Sequence, residues 1–513
     1  MAEYLSPAVY FEELSSGIKP LEGAGTSTAG FVGLAARGPI GTAVPINNFT
    51  EFQKNFGDFS SDALLPFSVN AFFNEGGGTC YVVRTCHYDN ADRPTAISAN
   101  RVYKAVGDAA ADALKVEASS AGAWANGLAI IARNPDAATF ELEVFQNGRS
   151  VETISALSMD RSSRDYAETR INGISPFIKV TDVIAAGSAL NIAGRRPAPT
   201  AGAVPDPLQS GDDGLSGLSA DDYIGKPSIG NGLNAFNAVD GLSIIAVPEA
   251  VDRNVHVRAT AYCESRQDCF YIADCQPIIT AADDVLNYKT ADGLFAGGNA
   301  ASSKFSALYA PWIEVFDPRT NGRIAIPPSG AIAGRYADVD RKRGVHKAPA
   351  GIVDGKLKSA LGLTFGFVQA DQEKLNPAGI NLIRSLPGAG PVIWGARTTS
   401  SDPEQRYVNV RRLLIFLRES ILDGTSWAIF EPNDRSLWKS LERNIAAFLR
   451  LQWLNGALVG ATADQAFYVK CDDETNPPES VLLGRVITEI GVAPSKPAEF
   501  VIFRIAQSVD GGA

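Results

Sequence analysis

The chain has 513 residues, 45% of them apolar, which is too long for one core and suits about three or four folded, water-soluble domains. Lys and Arg number 46 against 57 Asp and Glu, so the net charge is 46 − 57 = −11, which argues against nucleic acid as a main partner. No run is long and apolar enough to cross a bilayer and the first residues lack a basic and apolar leader, so a cytoplasmic product without direct membrane insertion is expected.

Residues 1–20 read as an arm in which Val9, Tyr10 and Phe11 belong to a strand-like run. Fully extended, its first fourteen residues would reach about 45 Å at roughly 3.3 Å each. Such a strand can pair with a neighbouring molecule or add to the edge of its own domain, and the residues do not choose between the two.

Residues 21–90 have an α/β pattern. A short buried strand, Phe31-Val32-Gly33-Leu34, is followed by a helix capped at Thr50 and running through Phe56. A second helix spans Leu64 to Asn74, and a strand runs from Cys80 to Arg84. The Gly23-Ala24-Gly25 and Gly76-Gly77-Gly78 clusters match neither GxGxxG nor GxxxxGK[ST], so they read as turns without phosphate or cofactor binding. Residues 91–235 read as a β-rich insertion, with strands at Leu114–Glu117, Leu128–Ala132 and Phe140–Phe145 and a hairpin turn at Asn147-Gly148. The Gly211-Asp212-Asp213-Gly214 stretch lacks calcium-loop spacing and is expected to be a solvated loop.

Residues 236–400 resume the α/β pattern and should complete the sheet begun before the insertion. A strand is expected from Leu242 to Val247, a helix from about Val251 to Cys263, a strand from Cys269 to Asp274, and a loop-rich stretch from Ala307 to Tyr336. Cys263, Cys269 and Cys275 recur with five residues between them, which fits no standard zinc spacing; with Cys80, Cys86 and Cys471 they read as free, buried thiols. His87, His256 and His346 sit in no recognisable catalytic or metal-binding context, so no catalytic or metal residue is assigned.

Residues 401–513 open at Asp402-Pro403-Glu404 as a helix ending at Gly424, with Tyr407, Val410, Leu414, Leu417 and Ile421 at helical spacing. A second helix starts at Asn433-Asp434 and ends near Asn455-Gly456. At about 100° per residue, Leu437, Leu441, Ile445, Phe448 and Gln452 share one face, flanked by Trp438 and Leu449. Arg435, Lys439, Arg443 and Arg450 share another, which is either a solvated face or a docking ridge for an acidic partner. Two strand-like runs follow the acidic turn Asp472-Asp473-Glu474. They are Val486 to Val492 and a terminal one containing Phe500, Val501, Ile502 and Phe503.

The phrases FLRLQWLNGAL, AFYVKCDDETNPP and EFVIFRI resemble, in order, the C-terminal domain of contractile tail sheath proteins. The resemblance extends back through GFVGLAARGPIG and FFNEGGGTCYVVR, SSAGAWANGLAI, the GDDG loop before DDYIG, the PPSG, AG, D and KAPA series, and LPG with VIWGART. It covers the chain in order and is least specific in the insertion. The fold class expected is multidomain α/β (α+β), with mixed-sheet core domains, a β-rich outer insertion and extended N- and C-terminal strand arms.

The resemblance implies a structural subunit that polymerises helically around an inner tube and contracts to drive that tube through a target envelope. Its partners would be further copies of itself, the inner tube protein, and baseplate and terminator or cap proteins, in a phage tail or tail-like particle that is assembled in the cytoplasm and either kept there or released by lysis. Arg435, Lys439, Arg443 and Arg450 would face the tube, and the two arms would tie subunits together. The competing readings are a non-contractile structural component of such a particle and an α/β enzyme.

Overall fold

The computed structural model describes residues 21–185, 188–202, 204–290 and 302–499. The arm residues Val9, Tyr10, Phe11, Phe500, Val501, Ile502 and Phe503 lie outside the described residues. The chain divides into two compact units. The larger is residues 27–338 with 349–406, and the smaller groups, among the described residues, 21–26 with 339–348 and 407–499.

The larger unit is built on a mixed sheet whose six central strands are parallel: β1 (Ala29–Gly33), β2 (Cys80–Arg84), β3 (Ile244–Ala246), β4 (Phe270–Asp274), β5 (Ser306–Ala310) and β6 (Ile380–Leu386). They lie in the order β6-β5-β4-β3-β1-β2. Val44–Ile46 closes the β2 edge and Gly390–Ile393 the β6 edge, both antiparallel. Every residue of β1, β4 and β5 is buried. Strands covered on both faces need apolar residues at each position, so they read as short continuous runs without alternation. Phe31 sits in register with Val82 on one side and Ala246 on the other, so strands from both sides of the insertion complete one sheet.

Helix α1 (Phe49–Phe56) is capped by Asn48, whose Oδ1 accepts from Glu51 N at 2.8 Å. Thr50, the expected cap, lies inside the first turn. Helix α2 (Leu65–Asn74) starts after Leu64, which has no side-chain acceptor for the cap. Helix α3 (Arg253–Arg266) is capped by Asp252, so it starts two residues later than expected, and it runs three residues beyond Cys263.

The stretch from Ala307 to Tyr336 is not loop-rich. It forms β5, an antiparallel pair Ile313–Asp317 and Gly322–Ile326, and the helix α4 (Ser329–Arg343). Glycine misled the local reading here: a Cβ at Gly330 or Gly334 would run into the backbone carbonyls of Ser68 and Phe72, so the two glycines let α4 pack backbone-close on α2.

The insertion holds two small antiparallel sheets. One contains Asn100–Ala105, Asp108–Ala118 and Ile178–Asp182; the other contains Leu128–Arg133, Phe140–Gln146, Arg149–Leu157 and Asp206–Pro207. Leu114, Val116, Leu128, Ile130, Leu142 and Val144 share one buried core between them. Asn147 and Gly148 have φ of 50° and 79°, the geometry of a tight two-residue hairpin turn. The GDDG loop is not simply solvated, because Asp213 pairs with the buried Arg84.

In the smaller unit, α5 spans Val408–Thr425 and α6 spans Arg435–Leu454. Asp402 caps only a single 3-10 turn, Pro403–Gln405, so α5 starts later than the Asp-Pro-Glu signal implied. Gly424 falls inside its last turn, where a Cβ would collide with Leu21. Phe416 of α5 and Phe448 of α6 pack with ring centroids 6.0 Å apart, among Leu413, Leu417, Ile445 and Leu449. Arg412 and Asp340 form an ion pair at 2.6 Å, each side chain 3% exposed, and Arg412 also donates to Thr26 O. The strand expected from Val486 is shorter. Glu489–Val492 pairs antiparallel with Phe467–Lys470, while Ile487 is held by the Asn476 amide through Ile487 N to Oδ1 at 2.6 Å.

Candidate functional site

Open parallel sheets bind ligands outside the carboxyl ends of their strands, at the point where strand order reverses. Here that point is β1, flanked by β2 and β3. Its carboxyl end is occupied by Glu249, whose Oε1 accepts from Leu34 N at 2.8 Å and Oε2 from Leu64 N at 2.7 Å. The side chain thereby caps α2, which Leu64 cannot do. Burial raises the Glu249 pKa to about 7, against the pull of those two amides. Two strands along, Asp274 at the end of β4 accepts from Ser329 N at 2.8 Å at the start of α4, and burial raises it to about 7 as well. Both carboxylates are thus spent on helix N-termini, in the crevice where an enzyme of this fold would hold its substrate.

The other titratable groups are similarly structural. His256 is fully buried with Nδ1 2.6 Å from the Tyr271 hydroxyl, and burial lowers its pKa to about 3. His87 Nδ1 lies 3.2 Å from Asp222 Oδ2. All six cysteines are free and buried, with Cys263 and Cys269 sulfurs 3.5 Å apart. Among the described residues no three His, Cys, Asp or Glu come together as metal ligands, and no helix is long and apolar enough to cross a membrane.

The helix α6 presents the two faces its spacing suggested. Leu437, Trp438, Leu441, Asn444, Ile445, Phe448 and Leu449 are buried, with Gln452 half-buried at the end of the stripe, while Arg435, Lys439, Arg443 and Arg450 are exposed. The start follows from chemistry, since Asp434 Oδ1 accepts from Leu437 N at 2.9 Å. The cations are not all unengaged. Arg435 makes a two-point contact with Asp473 at 2.6 and 3.2 Å, and Lys439 meets Glu442 at 2.5 Å. The acidic turn that follows in sequence therefore folds back on the first cation of the row.

Two further features were not legible in the sequence. Ile429 and Phe430, just before α6, are exposed, Phe430 completely and at φ 71°, while Trp427 and Ala428 anchor the loop against Leu437, Trp438 and Leu441. The pair Phe467–Lys470 and Glu489–Val492 forms a sheet of only two strands among the described residues. Such a ribbon is marginal alone and offers edges on which another strand can pair.

Sequence comparison matches the phage tail sheath protein central domain to residues 222–399 and the phage tail sheath C-terminal domain to residues 400–508. The tail sheath protein of Burkholderia phage BcepMu is 24% identical over 497 residues, which cover 95% of this chain and 93% of that protein. The tail sheath protein of Enterobacteria phage T4 is 24% identical over 257 residues, covering 48% of this chain and 38% of the relative. That of Vibrio phage KVP40 is 25% identical over 323 residues, covering 56% and 47%. The matched regions thus span less than half the length of the T4 and KVP40 proteins. Among solved structures, the contracted-state sheath complex of the extracellular contractile injection system PVC aligns with a TM-score of 0.59 at 20% identity, over 99% of both chains. The helical sheath of the anti-feeding prophage in its contracted state aligns with a TM-score of 0.59 at 21% identity, over 99% of this chain and 100% of that one. These likenesses establish a common fold, and the two adjoining domain matches run without interruption across more than half of the sequence. The chain belongs to the phage tail sheath family.

Proposed function

We propose that this protein is the repeating subunit of a contractile sheath, which polymerises helically around an inner tube and shortens to drive the tube through a target envelope. The observation that carries this reading is the uninterrupted match of two tail sheath domains over residues 222–508, on a fold that aligns along its length with sheaths of contractile particles. The self-capped carboxyl edge of the sheet supports an assembly role over an enzymatic one. The energy of contraction then resides in interfaces between subunits, without a cofactor.

The arms at residues 1–20 and 500–513 lend strands to neighbouring copies, and the two-stranded ribbon of Phe467–Lys470 and Glu489–Val492 supplies edges that could receive them. Repeated head to tail, such heterologous contacts generate a helical tube. The exposed row of Arg435, Lys439, Arg443 and Arg450 faces the inner tube, the 91–235 insertion faces away from it, and baseplate and terminator or cap proteins bound the sleeve. The particle is assembled in the cytoplasm and either kept there or released by lysis.

Negative-stain microscopy of the purified chain tests the proposal. Hollow tubes or large helical polymers are expected, and deletion of Met1 to Gly17 should leave folded subunits that do not polymerise. A truncated chain that unfolds would assign the arm to its own domain, and a full-length chain that stays a compact monomer at high concentration would overturn the assembly reading.

A further inference from the structure

Within the larger unit, a cleft of about 370 Å³ lies between the α/β core and the β-rich insertion. The core contributes Arg37 and Gly38, just after β1, and Lys54 in the last turn of α1; the insertion contributes Ser98, Ser120 and Lys179. Every charged side chain that lines it is a cation.

Arg37 is held in place. Its Nη2 donates to Gln53 O at 3.0 Å and to Lys54 O at 2.9 Å, and its guanidinium stands 5.5 Å from the centre of the Trp124 ring. Carbonyls at a helix C-terminus carry only partial charge, so they orient the cation without neutralising it. Its Nε is buried without a hydrogen-bond partner, and burial pulls its pKa below the ordinary value.

Lys54 and Lys179 have no ion-pair partner among the described residues, whereas Lys104, Lys115 and Lys226 each meet a carboxylate. The acid that faces Lys179 across the sheet, Glu117, is already paired with Lys115 at 2.8 Å. Ser120 Oγ accepts from Gly38 N at 3.0 Å, and its hydroxyl hydrogen remains to donate. A chain of net charge −11 has therefore gathered three cations and hydroxyl donors in one concave place without an acid among them.

We propose that this cleft is an oxyanion site, which takes a carboxylate or phosphate group between Lys54, Lys179 and the fixed Arg37. The group comes either from an acidic side chain of a second copy of this chain or from a free small anion. The second copy carries suitable groups in its acidic turn, where Asp473 and Glu474 side chains are 63% and 79% exposed, although each also meets a cation of its own copy, Arg435 and Lys470. That source rests on the assembly reading above; the small-anion source does not.

Isothermal titration of the full-length chain with inorganic phosphate, and separately with a peptide of residues 472–478, tests the site. The double variant Lys54→Ala and Lys179→Ala is the control, since both side chains are exposed and the fold is expected to survive, as checked by circular dichroism. Binding of either probe that weakens at least tenfold in the variant supports the site. Phosphate alone identifies a free anion, the peptide alone identifies a second copy, and both together show a site general for oxyanions. Absence of binding by both probes, or equal binding by the variant, overturns the proposal. Normal tubes with no binding would sink the cleft while leaving the sheath reading intact.

Discussion

Arg84 Nη2 lies 3.3 Å from Asp213 Oδ1, although 129 positions separate the two residues. The same guanidinium donates from Nη1 to Ala121 O at 2.7 Å and to Gly38 O at 3.2 Å. One side chain, 1% exposed, therefore ties the core to two separate loops of the insertion. A second tie stands beside it: Asp222 accepts from Tyr88 N at 2.9 Å, and its own carbonyl accepts from Thr85 Oγ1 at 2.7 Å.

Arg84→Ala should destabilise the larger unit by about 3 to 5 kcal/mol, because it strips Gly38 O, Ala121 O and the Asp213 carboxylate of one buried donor. Asp213→Ala should cost less, on the order of 1 to 3 kcal/mol, since Asp213 is 32% exposed and Arg84 keeps its two carbonyls. Denaturant unfolding gives the magnitudes. Hydrogen exchange should show the strand-like bridges of Ile97 with Asp212 and Asn100 with Gln209 opening before the rest of the sheet.

Stability should fall as pH rises from about 4.5 to 7. Burial raises Glu249 from 4.5 to about 7 and Asp274 from 3.8 to about 7, so in this window the folded chain binds more protons than the unfolded one. His256 opposes them: lowered from 6.5 to about 3, it makes the unfolded chain the better proton acceptor below pH 6.5. Asp213, also raised by burial, sides with the two acids, and His346, also lowered by burial, sides with the histidine, so the net slope keeps the sign of the acids. Glu249→Gln should remove one of the two acid contributions and flatten the profile. A wild-type profile that rises steadily from pH 4.5 to 7 would contradict this assignment.

Reversing charge at Lys439 and Arg443 to Glu should change folding stability by less than about 0.5 kcal/mol, because both sit on the exposed face of α6. Exposed ion pairs are worth about 0.2 to 1 kcal/mol each, which suits a contact that must release when a sleeve contracts. The variant should still form contracted sleeves and fail to load around the inner tube. Co-sedimentation with tube subunits at low and high salt measures this, and undiminished loading would reduce the cationic row to a solvated face.

Asn444 sits 2% exposed on the inner face of α6, with both Nδ2 and Oδ1 buried and lacking hydrogen-bond partners. An unsatisfied buried amide costs about 1 to 3 kcal/mol, so Asn444→Leu should raise the unfolding midpoint of the isolated chain. If the same variant assembles poorly while melting higher, the amide serves a contact made only in the polymer; a lower midpoint would show that Leu cannot be packed there.

By itself the sequence determined the α/β class, four of the six central strands (β1 to β4) and the two faces of α6, because apolar periodicity and short apolar runs are local consequences of which face is covered. It determined family membership too, through short phrases such as PPSG and KAPA kept in order along the chain. It misread what depends on partners distant in sequence. Gly330 and Gly334 look like loop residues until α2 is seen against α4, and the helix start at Leu64, placed correctly, has no visible acceptor until Glu249 arrives from 185 positions away. Asp213 looks solvated until Arg84 is seen behind it. Only the tertiary structure decided these, since a hydrogen bond or a close backbone contact is set by distance in space, and no spacing along the chain encodes which carboxylate will reach which amide.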